Sequence, residues 1–272
     1  MIRGIPRQRG FALIIVLWWL ALLALLGGRM MADAREDTQR ARSLLDAAML
    51  EAAADGAVQQ AIFATLDTSG QHWAPDGVVH MIRSARALIS VRIESETDKI
   101  NPNTASPELL VALLRAVGAP PETAAVVADS IVEWRQAIGV PGRPNATVIR
   151  YVAAGREYGP SGAPFTSLDQ LGAVLDMTPD LLVRLRPHMT VFTDADPDAS
   201  THDPVVAQAL ATVGETDTEG SEDRLGDVVS IIADARGPEG ARFDVHVIAR
   251  TNAEAGGRRY SILSYERNWA GP

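Results

Sequence analysis

The first thirty residues are laid out in blocks of opposite character. Arg3, Arg7 and Arg9 sit in a basic leader, an apolar run without charge extends from Phe11 to Gly28, and charge resumes at Arg29. As a helix rising about 1.5 Å per residue, that run is roughly 27 Å long, close to a hydrocarbon core of about 30 Å, so the pattern predicts a membrane-spanning segment over 11–28. Basic residues ahead of the span place the N-terminus in the cytoplasm and the rest of the chain outside. A secretory signal is the competing reading, with Ala32-Asp33-Ala34 as its small-residue cleavage site.

Beyond Gly27-Gly28 the apolar positions recur at helical spacing: Leu45, Met49, Ala52 and Ala53, then Val58, Ile62, Phe63 and Leu66. This predicts a stem helix over 29–66 that continues the membrane segment, roughly 80 Å in all. Asp67 to Gly77 reads as a loop, and "LISVRIESE" then alternates as a half-buried strand, so 67–98 forms the first part of a sheet domain. In "DKINPNTASPELLVALLRAVGAPPETAAVVADSIVEWRQ", Ser106 and Pro107 open one helix and Gly118 to Pro121 separate it from a second. A second helical pair is expected in "PFTSLDQLGAVLDMTPDLLVRLRPHMTVFT", where Thr178-Pro179 repeats the cap-then-proline signal. Gly139 to Ala163 is the loop-rich join, and 99–190 is accordingly an inserted helical domain. Residues 191–272 hold an acidic linker, with a short helix at Pro204 to Val213, and then three strand candidates, "VVSIIADA", "RFDVHVIART" and "RRYSILSYER". The expected class is α+β: a long N-terminal transmembrane and stem helix on an antiparallel sheet, with an all-α subdomain of two helical hairpins inserted between strands.

Composition narrows the chemistry. The formal charge is −9, which disfavours nonspecific phosphate binding and makes nucleic acid a poor partner. There are no cysteines, so neither a disulfide framework nor thiolate chemistry is available. His72, His80, His188, His202 and His246 are scattered without metal-ligand spacing, and no nucleophile-elbow, Walker or dinucleotide motif occurs. The chain reads as a non-enzyme needing no cofactor. The first hairpin looks like the helix-hairpin-helix modules that offer turn amides to DNA phosphates, but Gly118-Ala119-Pro120 has one donor fewer, since proline lacks an N–H. A membrane-anchored DNA-uptake protein or membrane-anchored enzyme is the alternative function.

A basic leader ending at Gly10, Phe11 opening an apolar helix, a stem and an outer sheet together resemble the type IV pilin-like proteins. That resemblance implies cleavage by a prepilin peptidase between Gly10 and Phe11, removal of residues 1–10 and N-methylation of Phe11. Mature position five is then Ile15, where most pilins carry Glu. The segments "RGFALIIVLWWLALLALL", "DKINPNTASPELL", "SIVEWR", "APFTSLDQLGAVLDMTPDLL" and "HMTVFT", in that order, resemble the K-type minor pseudopilin of type II secretion, a class that shares this departure. In an assembled pilus the buried N-terminal ammonium of one subunit is matched by the position-five Glu of its neighbour, because an unpaired buried charge is very costly. A subunit with Ile15 cannot supply that carboxylate, which places it at the filament tip.

The same resemblance implies the remaining expectations. The partners are the I- and J-type minor pseudopilins, then the H-type, the major pseudopilin, the inner-membrane secretion platform and the prepilin peptidase. The location is the bacterial inner membrane, single-pass, with the globular part in the periplasm, and the task is to initiate pseudopilus assembly and support export of folded proteins. Calcium is possible by family resemblance, but the aspartates expected after the Trp-Arg pair are missing: Trp134-Arg135 is followed by Gln136-Ala137-Ile138-Gly139. Asp129 and Glu133 read instead as a solvated helix face.

Overall fold

The computed structural model describes residues 9–84, 87–136, 146–214, 227–237, 240–251 and 259–270. Helix α1 runs unbroken from Arg9 to Thr65. Five strands, β1 (Asp76–Arg83), β2 (Leu88–Ser95), β3 (Val228–Arg236), β4 (Arg242–Thr251) and β5 (Tyr260–Ala270), form one antiparallel sheet in sequential order. Although β2 and β3 are immediate neighbours, paired from Leu88↔Arg236 to Ser95↔Val229, more than a hundred residues of chain separate them. The sheet is thus a meander opened at one turn, and the helices are threaded through that opening.

Those helices are α2 (Pro107–Ala116), α3 (Pro121–Gln136), α4 (Ala146–Ala153), α5 (Pro179–Leu185) and α6 (Pro204–Val213). The caps the sequence announces are made: the Ser106 hydroxyl accepts from Leu109 N at 3.1 Å and that of Thr178 from Leu181 N at 3.2 Å. Three expectations need correction. The second helical pair is one 3₁₀ segment, Leu168–Ala173, followed by the two turns of α5. The join read as loop contains α4. The Pro204–Val213 helix is not isolated in a solvated linker, because Val206, Ala209 and Leu210 are buried in the helical core. Strand β1 went unrecognised in the sequence.

Two apolar cores result. One, from Ile100 to Leu210, belongs to the helices. The other fills the space between the sheet and the distal half of α1, with Leu50, Ala54, Ala57, Val58, Ala61 and Ile62 facing Ile89, Val91, Ile93, Val229, Ile231, Val245 and Val247. Of the apolar positions expected on the stem, Val58 and Ile62 are buried against the sheet and Ala53 and Leu66 pack beside them, whereas Leu45, Met49, Ala52 and Phe63 are exposed. Gly237 lets the β3–β4 hairpin approach the helix, since a Cβ there would meet the Leu50 side chain at 2.8 Å.

The apolar side chains of α1 ahead of the sheet, from Leu13 to Leu26, are exposed around its circumference, Ile15 among them. Among the described residues no helix meets the length and apolarity needed to cross a membrane. The predicted cleavage site at Gly10 and Phe11 falls within α1, and the Phe11 side chain lies outside the described residues.

Candidate assembly surface

At about 100° per residue, Leu45, Met49, Ala52, Gly56 and Phe63 fall within roughly 60° of one another on α1. The sheet-facing residues lie on the far side. All five are exposed, and nothing approaches within 4 Å of a Cβ built at Gly56. The result is an apolar band with a small-residue saddle at Ala52 and Gly56, a shape that admits close approach of a second helix.

The band is held in register by polar contacts with the edge strand. The Asp55 carboxylate accepts from the Tyr265 hydroxyl and, at 2.9 Å, from Arg267, which also pairs with Glu51 at 3.2 Å. Burial first, and the bond to Asp55 second, push the Tyr265 phenol up from its ordinary pKa. Near the end of the stem the Tyr260 hydroxyl donates to Gln59 at 3.1 Å. None of these positions stood out in the sequence, since their meaning depends on a strand some 200 residues away.

The "NPNT" turn ties together distant segments of the helical block. Asn101 donates to the Thr193 carbonyl at 2.5 Å, while Asn103 accepts from Phe165 N at 2.7 Å and donates to its carbonyl at 3.0 Å. Arg135 reaches across from α3 to donate to the carbonyls of Pro102 (2.6 Å) and Ala105 (2.8 Å), and burial lowers its pKa. Arg250 of β4 completes the joint with bonds to the Phe192 carbonyl (3.1 Å) and Asp194 (2.9 Å). Beneath it, Trp134 stacks on Phe165 with ring centroids 6.0 Å apart and also contacts Tyr151 and Tyr158.

Tyr151 is fully buried, and its hydroxyl accepts from Leu175 N at 3.1 Å. Burial raises its pKa, so the phenol stabilises the fold below the ordinary tyrosine value, and that contribution is lost as pH rises through the folded-state value. Chemical denaturation at a series of pH values is expected to show stability level to about pH 9 and falling above about pH 10. Tyr151→Phe makes the alkaline fall shallower; an unchanged slope would contradict the assignment.

The phosphate-gripping alternative fails on geometry. Gly118, at φ +90°, ends α2, and its N–H already donates to the Arg115 carbonyl while that of Ala119 donates to Leu114, both at 2.9 Å. Neither amide is free for an anion. A serine–histidine pair does occur on the sheet, Ser230 Oγ to His246 Nε2 at 2.7 Å, with Glu266 opposite His246 in the ladder. Ser230 is only 2% exposed, closed to a substrate, and the pair links β3 to β4.

For calcium, the stretch after Gln136 lies outside the described residues. Of the neighbouring carboxylates, Glu133 is engaged by Arg150 at 2.9 and 3.1 Å. Among the described residues no group of three or more His, Asp or Glu is arranged to hold a metal ion.

Spine helix, interrupted meander and threaded helical block define an α+β scaffold with an exposed apolar face on the helix. Residues 87–194 match the family described as "Type II secretion system (T2SS), protein K". No curated protein matches the chain. Among solved structures it is similar to a chain of "The Crystal Structure of the GspK-GspI-GspJ complex from enterotoxigenic Escherichia coli Type 2 Secretion System", with 16% identity, a TM-score of 0.56, and coverage of 86% of this chain and 99% of that one. At that identity the likeness establishes the fold.

Proposed function

We propose that this chain is a K-type minor pseudopilin, anchored in the bacterial inner membrane by the first part of α1 and assembled, through the outer face of the same helix, with the I- and J-type minor pseudopilins at the tip of a periplasmic pseudopilus. The observation that carries this reading is the exposed apolar band of Leu45, Met49, Ala52, Gly56 and Phe63, opposite the face the sheet covers. Monomeric proteins rarely leave such a contiguous band bare. The similar structure is itself named as a complex of K, I and J proteins.

The anchor rests on the exposed apolar circumference from Leu13 to Leu26. The tip position rests on Ile15, which offers no carboxylate to a subunit above, and on the helical block, whose bulk would obstruct one. Initiation of assembly, and thereby support for export of folded proteins, follows from such a position.

The chain has no native cysteine, so a single introduced one reports without background. Met49→Cys is expected to crosslink to a cysteine-bearing stem of a co-produced I- or J-type partner, whereas Val58→Cys, on the buried face, is not. Strong crosslinking from Val58→Cys with none from Met49→Cys in a folded protein would refute the assignment of the outer face.

A further inference from the structure

Where α1 ends, the chain turns through residues 67–73 and leaves an open groove of about 830 Å³ against the start of β5. Its walls carry two aromatic rings. Trp73 is held by a parallel stack on His80, ring centroids 3.9 Å apart and planes 2° apart, and Phe63 meets the Tyr260 ring edge-on at 6.4 Å. Around these rings lie Gln60, Thr68, Gln71 and Arg259, whose side chains have no hydrogen-bonding or ion-pair partner among the described residues. Asp67 is different: its two oxygens accept from Ser69 N and Ser69 Oγ, both at 2.8 Å, and these bonds hold its pKa below the ordinary carboxylate value.

Three ligand classes can be compared with this lining. An anion is poorly served, because the two cationic or potentially cationic side chains of the groove, Arg259 and His72, share it with the ionised Asp67, beside which His72 lies. A purely apolar ligand would strip water from two carboxamides, a hydroxyl and a guanidinium without replacing their bonds. A neutral polyhydroxylated chain satisfies both halves: its C–H faces lie on aromatic rings while its hydroxyls exchange donors and acceptors with amides, which offer both. We infer that this groove is a saccharide-binding site taking a short stretch of neutral glycan; it shares Phe63 with the helix face proposed for assembly and otherwise lies beyond the end of that face.

The inference is tested by saturation-transfer NMR on the full chain in zwitterionic detergent micelles, with maltotriose and N,N′,N″-triacetylchitotriose as separate probes. Transfer to the ring protons of at least one probe is expected, with half-saturation at about 1 mM, as an open groove permits. Gln60→Ala combined with Gln71→Ala, both exposed and therefore without effect on thermal unfolding, is expected to weaken binding about tenfold, and Arg259→Ala to weaken it less. No transfer from either trisaccharide, or transfer unchanged in the double variant, overturns the site. Crosslinking from Met49→Cys is expected to be unaffected by the double substitution, so this inference and the assembly reading fail separately.

Discussion

Trp134→Ala is expected to unfold or severely loosen the helical block while leaving the sheet and its stem helix intact. Trp134 is buried and shares ring contacts with Tyr151, Tyr158 and Phe165, drawing α3, α4 and the segment before the 3₁₀ turn into one cluster. Removing a buried aromatic of that size costs about 3–5 kcal/mol, the transfer of the ring plus the cavity left behind. Against a total stability of about 5–15 kcal/mol for a domain, the loss is decisive. Its effect is expected to be local because the two apolar cores are built from different residues. Native-state hydrogen exchange separates the outcomes: amides of Leu110, Leu113 and Ile131 should lose protection, while those of Ile231, Val245 and Val247 keep theirs. Uniform loss of protection would show the two cores to be one cooperative unit.

Legibility from sequence followed the range of the interactions involved. Caps and turns are local, so Ser106-Pro107 and Thr178-Pro179 announced helix starts that the structure makes. Strands β2, β3, β4 and β5 were legible because apolar side chains alternate or run together without interruption. Strand β1 escaped because Val78 and Val79 stand side by side, and its pairing shifts register between Asp76 and Val79, so a period of two never appears. Helix α4 escaped because a stretch rich in Gly and Pro surrounds it.

Which face of α1 lies inward was illegible for a different reason. Alanine, leucine and methionine lie all round the helix, and periodicity alone cannot say which stripe the sheet will cover. The sheet took the alanine-rich side, Ala54, Ala57 and Ala61, where a flat β-layer packs closely. That choice left the larger residues Leu45, Met49 and Phe63 outward, and they became the candidate assembly face. The joints were illegible too: Asn101 with Thr193 and Asp55 with Arg267 are pairs separated by long stretches of chain. Asn101, Thr193 and Arg267 each fell in a quoted segment, but a segment read by itself does not name a partner elsewhere in the chain.

Replacement of Gly10 by a bulky residue such as valine is expected to abolish maturation, leaving a precursor that still carries its basic leader. The motivation lies in the sequence: Gly10 stands at the junction between Arg9 and the apolar run opening at Phe11, and a peptidase must pass backbone, not a branched side chain, through its catalytic cleft at that bond. Retaining Arg3, Arg7 and Arg9 would also keep charge next to the apolar helix, where withdrawal into a packed filament demands that each charge be paired or left in water. Intact-mass measurement on the membrane-extracted protein reads the result directly. The parent chain should begin at a methylated Phe11, while Gly10→Val should retain the mass of residues 1–10 and should fail to crosslink to its partners through Met49→Cys. A parent chain beginning at Arg35, after Ala32-Asp33-Ala34, would establish a secretory signal instead. It would remove the anchor together with Ile15, and with them the case for the tip, while leaving the fold of the sheet and the helical block as described.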